Sequence, residues 1–71
     1  MKGGEKMTDK NLLRAKIIEK GFTQTEIAKK LGISAQSLNY KINNKREFKA
    51  SEIEKLCVIL GIRNKNTYFF N

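Results

Sequence analysis

Residues Gln24 to Asn43 read QTEIAKKLGISAQSLNYKIN, and the way this stretch divides decides the fold. A helical apolar spacing runs through Ile27, Ala28 and Leu31, stops at Gly32, and resumes at Leu38 and Ile42 after only Ile33 and Ser34. Recurrence at three and four residues puts each set on one face of a helix. Gly32 supplies the positive φ that ends the first of the two, a conformation that a side chain resists. Just ahead, Thr23 opens T-Q-T-E, in which the Thr23 hydroxyl can accept from the Glu26 amide while the Glu26 carboxylate accepts from the Thr23 amide, a capping box. Phe22 before that cap can close on Ile27 as a hydrophobic staple, and Ile33, Ser34 and Leu38 repeat the arrangement for the second helix. The stretch therefore predicts two short helices, 24–31 and 35–43, joined by a tight turn, with Asn43 and Asn44 ending the second because asparagine tolerates left-handed angles.

On the N-terminal side, residues from Thr8 or Asp9 to Lys20 are good helix formers with Leu13 and Ile17 four apart, and Gly21 is placed to end that helix. Leu12 and Ile18 fall on other faces, so either the buried stripe is wide or one of them meets solvent. Further on, Ile53, Leu56, Cys57 and Leu60 keep the three and four spacing up to Gly61, giving another helix. Its start has two readings: Ser51 with Glu54 makes a second capping box, whereas Phe48 with Ile53 makes a third staple if Lys49, a poor cap, holds the cap position; the staple, with a start near residue 50, is preferred. After Ile62 come a loop and the aromatic run Thr67 to Phe70, either a short helical turn on the core or an exposed patch. Residues 1–7, MKGGEKM, read as a flexible leader. Residues 8–71 then form one domain, its last part, 63–71, being loop and aromatic tail.

Composition agrees with an all-α fold of four or five helices. The chain has 71 residues, room for a single core, with no proline and 39% apolar residues. Its net charge is +8, and six of the basic residues, Lys29, Lys30, Lys41, Lys45, Arg46 and Lys49, lie between positions 29 and 49 with Glu47 as the only acid there. Such a field attracts polyanions, nucleic acid or acidic lipid, though a run of this kind also serves simply as a solvated face. The single Cys57 lies in an apolar helical pattern and reads as a buried reduced thiol, which suits the cytoplasm. No run approaches the roughly 18 apolar residues of a membrane span. With no histidine, no phosphate-cradling motif, no metal-ligand cluster and no activated nucleophile, nothing points to an enzyme, a cofactor or a small-molecule ligand.

The stretch QTEIAKKLGISAQSLNYKIN resembles the helix-turn-helix of phage Cro and repressor proteins, the lambda-repressor-like family. The resemblance covers residues from roughly 12 to 62 and is carried by Gln24, Ala28, Leu31, Gly32, Ile33, Leu38 and Ile42, with Asn43-Asn44-Lys45 standing where the family often has Asn-Gly-Lys. It implies a small phage or prophage regulator, expected to act as a repressor on double-stranded DNA in the bacterial or infected cell. The second helix of the pair, 35–43, would then enter the major groove. Ser34, Ala35, Gln36, Ser37, Asn39 and Tyr40 are the implied base-reading residues: Gln36 and Asn39 can pair bidentately with adenine, the serines can bond several edges, and the Ala35 methyl suits thymine. Gln24, Lys41, Asn43, Lys45 and Arg46 are the implied phosphate contacts. Lys29 and Lys30 need do no more than solubilise. One such module reads few base pairs, so a homodimer on a two-fold site is expected, with the Tyr68 to Phe70 tail one candidate for its interface. The competing reading is a protein-interaction module, or an antitoxin-like partner, reusing the same fold.

Overall fold

The structure, a computed structural model, describes residues 7–70. Its elements run β1 (Met7–Thr8), α1 (Lys10–Glu19), α2 (Gln24–Leu31), α3 (Ala35–Ile42), α4 (Ala50–Leu60), α5 (Lys65–Tyr68) and β2 (Phe69–Phe70). The fold is all-α apart from the two-residue strands. Most of the leader, residues 1–6, lies outside the described residues, as does Asn71.

The helix starts are set locally. Asp9 caps α1, its carboxylate accepting from the Leu12 amide at 3.1 Å. At α2 the full capping box forms: the Glu26 amide donates to the Thr23 hydroxyl at 3.1 Å, and the Thr23 amide donates to the Glu26 carboxylate at 2.8 Å. Ser34 caps α3 by accepting from the Ser37 amide at 3.0 Å. At α4 the staple reading is the one realised: Lys49 holds the cap position, Phe48 and Ile53 are both buried in the core, and helix starts at Ala50. Only half a box forms there, because a lysine side chain offers no acceptor; the Glu52 carboxylate takes the Lys49 amide at 2.9 Å.

All four long helices end with the outer bond of a Schellman turn, the amides of Phe22, Ile33, Lys45 and Ile62 donating to the carbonyls of Ile17, Ala28, Tyr40 and Cys57 at 2.8 to 3.0 Å, and α1, α2 and α3 add its inner bond. Phe22 and Ile33 thus serve twice, closing one helix and stapling the next, which is why so few residues separate α1, α2 and α3. The required left-handed residue is Gly32 between α2 and α3, at φ 76°. After α3 it is Asn44, at φ 64°, the one non-glycine residue with positive φ among those described.

Leu13 and Ile17 of α1, Ile27, Ala28 and Leu31 of α2, Leu38 and Ile42 of α3, and Ile53, Leu56 and Leu60 of α4 meet in one core with Phe48, Ile62 and Phe69. Leu12 and Ile18, left open by the sequence, both face solvent, Ile18 at 73% exposure. Cys57 departs from expectation in being only half-buried.

The two ends of the described chain also differ from the sequence reading. Met7, assigned to the leader, pairs with Phe70, and Thr8 with Phe69, in an antiparallel ribbon. Of the two options for the aromatic run, packing on the core holds for Phe69, which is buried edge-on to Phe48 with ring centroids 5.4 Å apart. The outer edge of β1 is closed by a side chain: the Thr8 amide donates to Asn44 Oδ1 at 2.7 Å and Asn44 Nδ2 donates to the Thr8 carbonyl at 2.9 Å. A two-residue strand carries too little pattern to be read from sequence, since a period of two needs several residues to repeat.

Candidate nucleic-acid interface

The pair α2 and α3, with the caps and the turn after α3, carries the site residues singled out from the sequence. Ala28 is buried, and Leu38 and Ile42 are fully enclosed, so α3 is held from behind by the core and turns its other side outward. On that side Ser34, Ala35 and Gln36 are exposed, while Ser37, Asn39 and Tyr40 are half-buried. Among them Gln36, Asn39 and Tyr40 form a polar strip, because positions three and four apart share a helix face, with Ser34, Ala35 and Ser37 beside it in the first turn.

The strip is organised before any partner arrives. Gln36 Nε2 donates to Tyr40 Oη at 3.0 Å, and the Arg46 guanidinium lies 5.0 Å from the Tyr40 ring centroid. The Gln36 carboxamide oxygen and its second amide hydrogen stay available, which is the set that bidentate pairing with adenine uses. Ser34 is less free than expected, since its hydroxyl oxygen already accepts the Ser37 amide. Asn39 is tied to the end of its own helix: Asn43 Nδ2 donates to the Asn39 carbonyl at 2.9 Å and more weakly to Asn39 Oδ1 at 3.3 Å. That leaves the Asn39 amide hydrogens as the freer part of the side chain.

Of the residues assigned to phosphate, Lys45 and Arg46 are exposed in the turn after α3 and Gln24 is half-buried in the first turn of α2. Asn43 has its amide group largely committed, to Asn39 on one side and to Arg14 Nη2 on the other at 3.4 Å. Lys41 is a correction. It is 7% exposed, and its ammonium sits 2.7 Å from both carboxylate oxygens of Glu52 on α4. It lies three residues after Leu38 and one before Ile42, on the inward side of α3, so its charge is spent inside the protein and is not offered to phosphate.

Glu52 went unnoticed in the sequence for the same reason. Burial alone would push its carboxyl up, yet the Lys41 ammonium, the Lys49 amide and both lysine charges outweigh that and hold it below the ordinary value. Cys57 is shifted the other way, its thiol raised first by burial, with Glu54 adding to the rise and Lys65 opposing it. A thiol held protonated is a poor nucleophile. Arg14 was also unassigned from sequence, although it lies three residues before the buried Ile17 and so on the edge of the core-facing side of α1.

Among the described residues no group of three or more His, Cys, Asp or Glu side chains is placed to hold a metal, and no helix is long and apolar enough to cross a membrane. What the outer face of α3 and its flanks present is hydrogen-bonding side chains bordered by positive charge.

Comparison with curated proteins finds no significant match. A family model described as a protein of unknown function, DUF739, matches residues 7–71, and the chain belongs to that family.

Proposed function

We propose that this member of the DUF739 family binds double-stranded DNA sequence-selectively as a small regulator of the Cro and repressor type, with α3 as the helix that enters the major groove. The observation that carries the reading is the outward strip of α3. A short helix, a left-handed glycine and a second helix backed by buried Leu38 and Ile42 hold Gln36, Asn39 and Tyr40 outward, with Lys45 and Arg46 beside them. Base edges in the major groove ask for fixed amide and hydroxyl groups, and the phosphates on either side ask for cations. Gln36 and Tyr40 constrain each other, so less rotamer entropy is lost when Gln36 meets a base. Lys45 and Arg46 act as phosphate contacts, together with Gln24. Action as a homodimer on a two-fold site follows from the small number of base pairs that one strip can cover.

The test is selection of bound sequences from a random duplex pool followed by titration of affinity against salt. A preferred sequence that outcompetes random duplex by about 10³, with log affinity falling linearly in log salt, is the expected outcome. Absence of preference for any duplex at low salt sinks the reading.

One observation favours a protein partner as the second reading. Val58 on α4 is 83% exposed and, with Ile59 at the edge of the core, lines a surface groove bordered by Lys30, Glu54 and Lys55, a place where an apolar side chain of a partner could be covered.

A further inference from the structure

We propose that Arg14, on α1 and outside the helix-turn-helix itself, grips a DNA backbone phosphodiester between Gln24 and Asn43; this rests on the DNA-binding reading above. Arg14 reaches both ends of the α2 and α3 pair. It shares a surface cleft with Ile17, Ile18, Phe22, Thr23 and Gln24 at the start of α2. Its Nη2 lies 3.4 Å from Asn43 Oδ1 at the end of α3.

The guanidinium is left without a full set of acceptors. Its Nε is buried with no hydrogen-bond partner, the long bond to Asn43 uses one hydrogen of the fork, and the ion pairs among the described residues, Lys16 with Glu19 and Lys41 with Glu52, do not include it. The buried Nε itself is out of an arriving anion's reach, but a half-buried guanidinium without a counterion is costly in the bare protein, and an anion at the remaining N–H groups of the fork offsets that cost. The partly buried stem limits how far the head can wander, and a guanidinium fork matches the two free oxygens of a phosphodiester better than any neutral side chain does.

Two further features leave this place for a cation to fill. Glu26 puts a carboxylate in the first turn of α2, which weakens the pull of that helix end on an anion next to Gln24. Lys41, the basic residue in the last turn of α3, is withdrawn to Glu52. Arg14 supplies from α1 the charge that neither α2 nor α3 delivers at their shared edge.

The experiment titrates the whole protein with a mixed-sequence duplex over a range of salt concentrations, comparing wild type, Arg14→Gln and Arg14→Lys. Arg14→Gln should bind about tenfold more weakly, with a salt slope smaller by about one, and Arg14→Lys should keep the slope. A second measurement remains decisive even where Arg14→Gln folds poorly. Backbone phosphates of a selected duplex are neutralised one at a time as methylphosphonates, and wild type should be weakened severalfold at one position that Arg14→Lys tolerates better. If wild type binds with a steep salt slope yet Arg14→Gln matches it in affinity and slope, or no phosphate separates wild type from Arg14→Lys, the clamp is overturned and the DNA-binding reading stands. If wild type shows no salt-dependent duplex binding at all, both fall.

Discussion

The Lys41 ammonium and the Glu52 carboxylate form a buried ion pair between α3 and α4, with Nζ 2.7 Å from each carboxylate oxygen. The pair ties the inward side of α3 to α4, beside Leu38 and Ile42, on the helix that carries the outward strip. Removing one partner leaves the other charge buried and alone, so Glu52→Gln should lower unfolding free energy by on the order of 3 kcal/mol in urea denaturation. The double change Lys41→Met with Glu52→Leu, which fills the space without charge, should recover most of that loss. A Glu52→Gln protein as stable as wild type would remove the pair from any structural role.

Stability should depend on acid through the same residue. Glu52 has a folded-state value held below the ordinary glutamate value of 4.5, so its contribution is fully present above that pH and is lost as pH falls through the folded value. The stability gap between wild type and Glu52→Gln should therefore narrow below pH 4.5 and stay constant above it, as followed by denaturation across pH. A gap independent of pH would mean that Glu52 gains nothing from its partners on folding.

Asn44→Gly tests whether the backbone or the side chain matters at the turn after α3. Glycine suits the φ of 64° better, but it removes both hydrogen bonds to Thr8. At about 0.5 to 1.5 kcal/mol for each bond, the net loss should be about 1 to 2 kcal/mol despite the easier backbone. Amide exchange at Thr8 should accelerate in step. A more stable Asn44→Gly protein would show that φ outweighs the clamp.

The outward strip and its basic border should separate in binding assays. Gln36→Ala or Asn39→Ala should cost roughly 1 to 3 kcal/mol on the selected site and blur preference at one base pair. Lys45→Ala should weaken all duplexes alike. Competition assays on specific and random duplex check this; identical losses on both for all three variants would refute the division of roles.

Core and turn changes should act on stability and only indirectly on binding. Leu38→Ala, at a fully enclosed site, should cost about 2 to 5 kcal/mol by thermal or chemical denaturation. Gly32→Ala meets no atom within 4 Å, so its penalty is that of the left-handed backbone alone, about 1 to 2 kcal/mol.

Helices α2 and α3 were legible because everything that defines them is local: Thr23 with Glu26, Ser34 with Ser37, and staples spanning five residues. What escaped depends on residues far apart. Lys41 looked like a surface lysine, and only Glu52, eleven positions on, makes its inward placement tolerable. Arg14 gains its meaning from Asn43, twenty-nine positions away. The ribbon depends on partners at opposite ends of the described chain. For Asn44, standing where the resembled family often has glycine, the reason lies in Thr8, thirty-six residues earlier.

The pairing of Met7 with Phe70 also bears on how the molecule assembles. Contacts among α1, α2 and α3 span short loops and close quickly, whereas the ribbon encloses almost the whole chain and carries the largest loop-closure entropy. It should be the last piece to dock and the first to come away. Its release frees Phe69 from Phe48 while the capped helices keep their own local bonds. Hydrogen exchange would then divide the protein into a slowly exchanging helical unit and a faster latch.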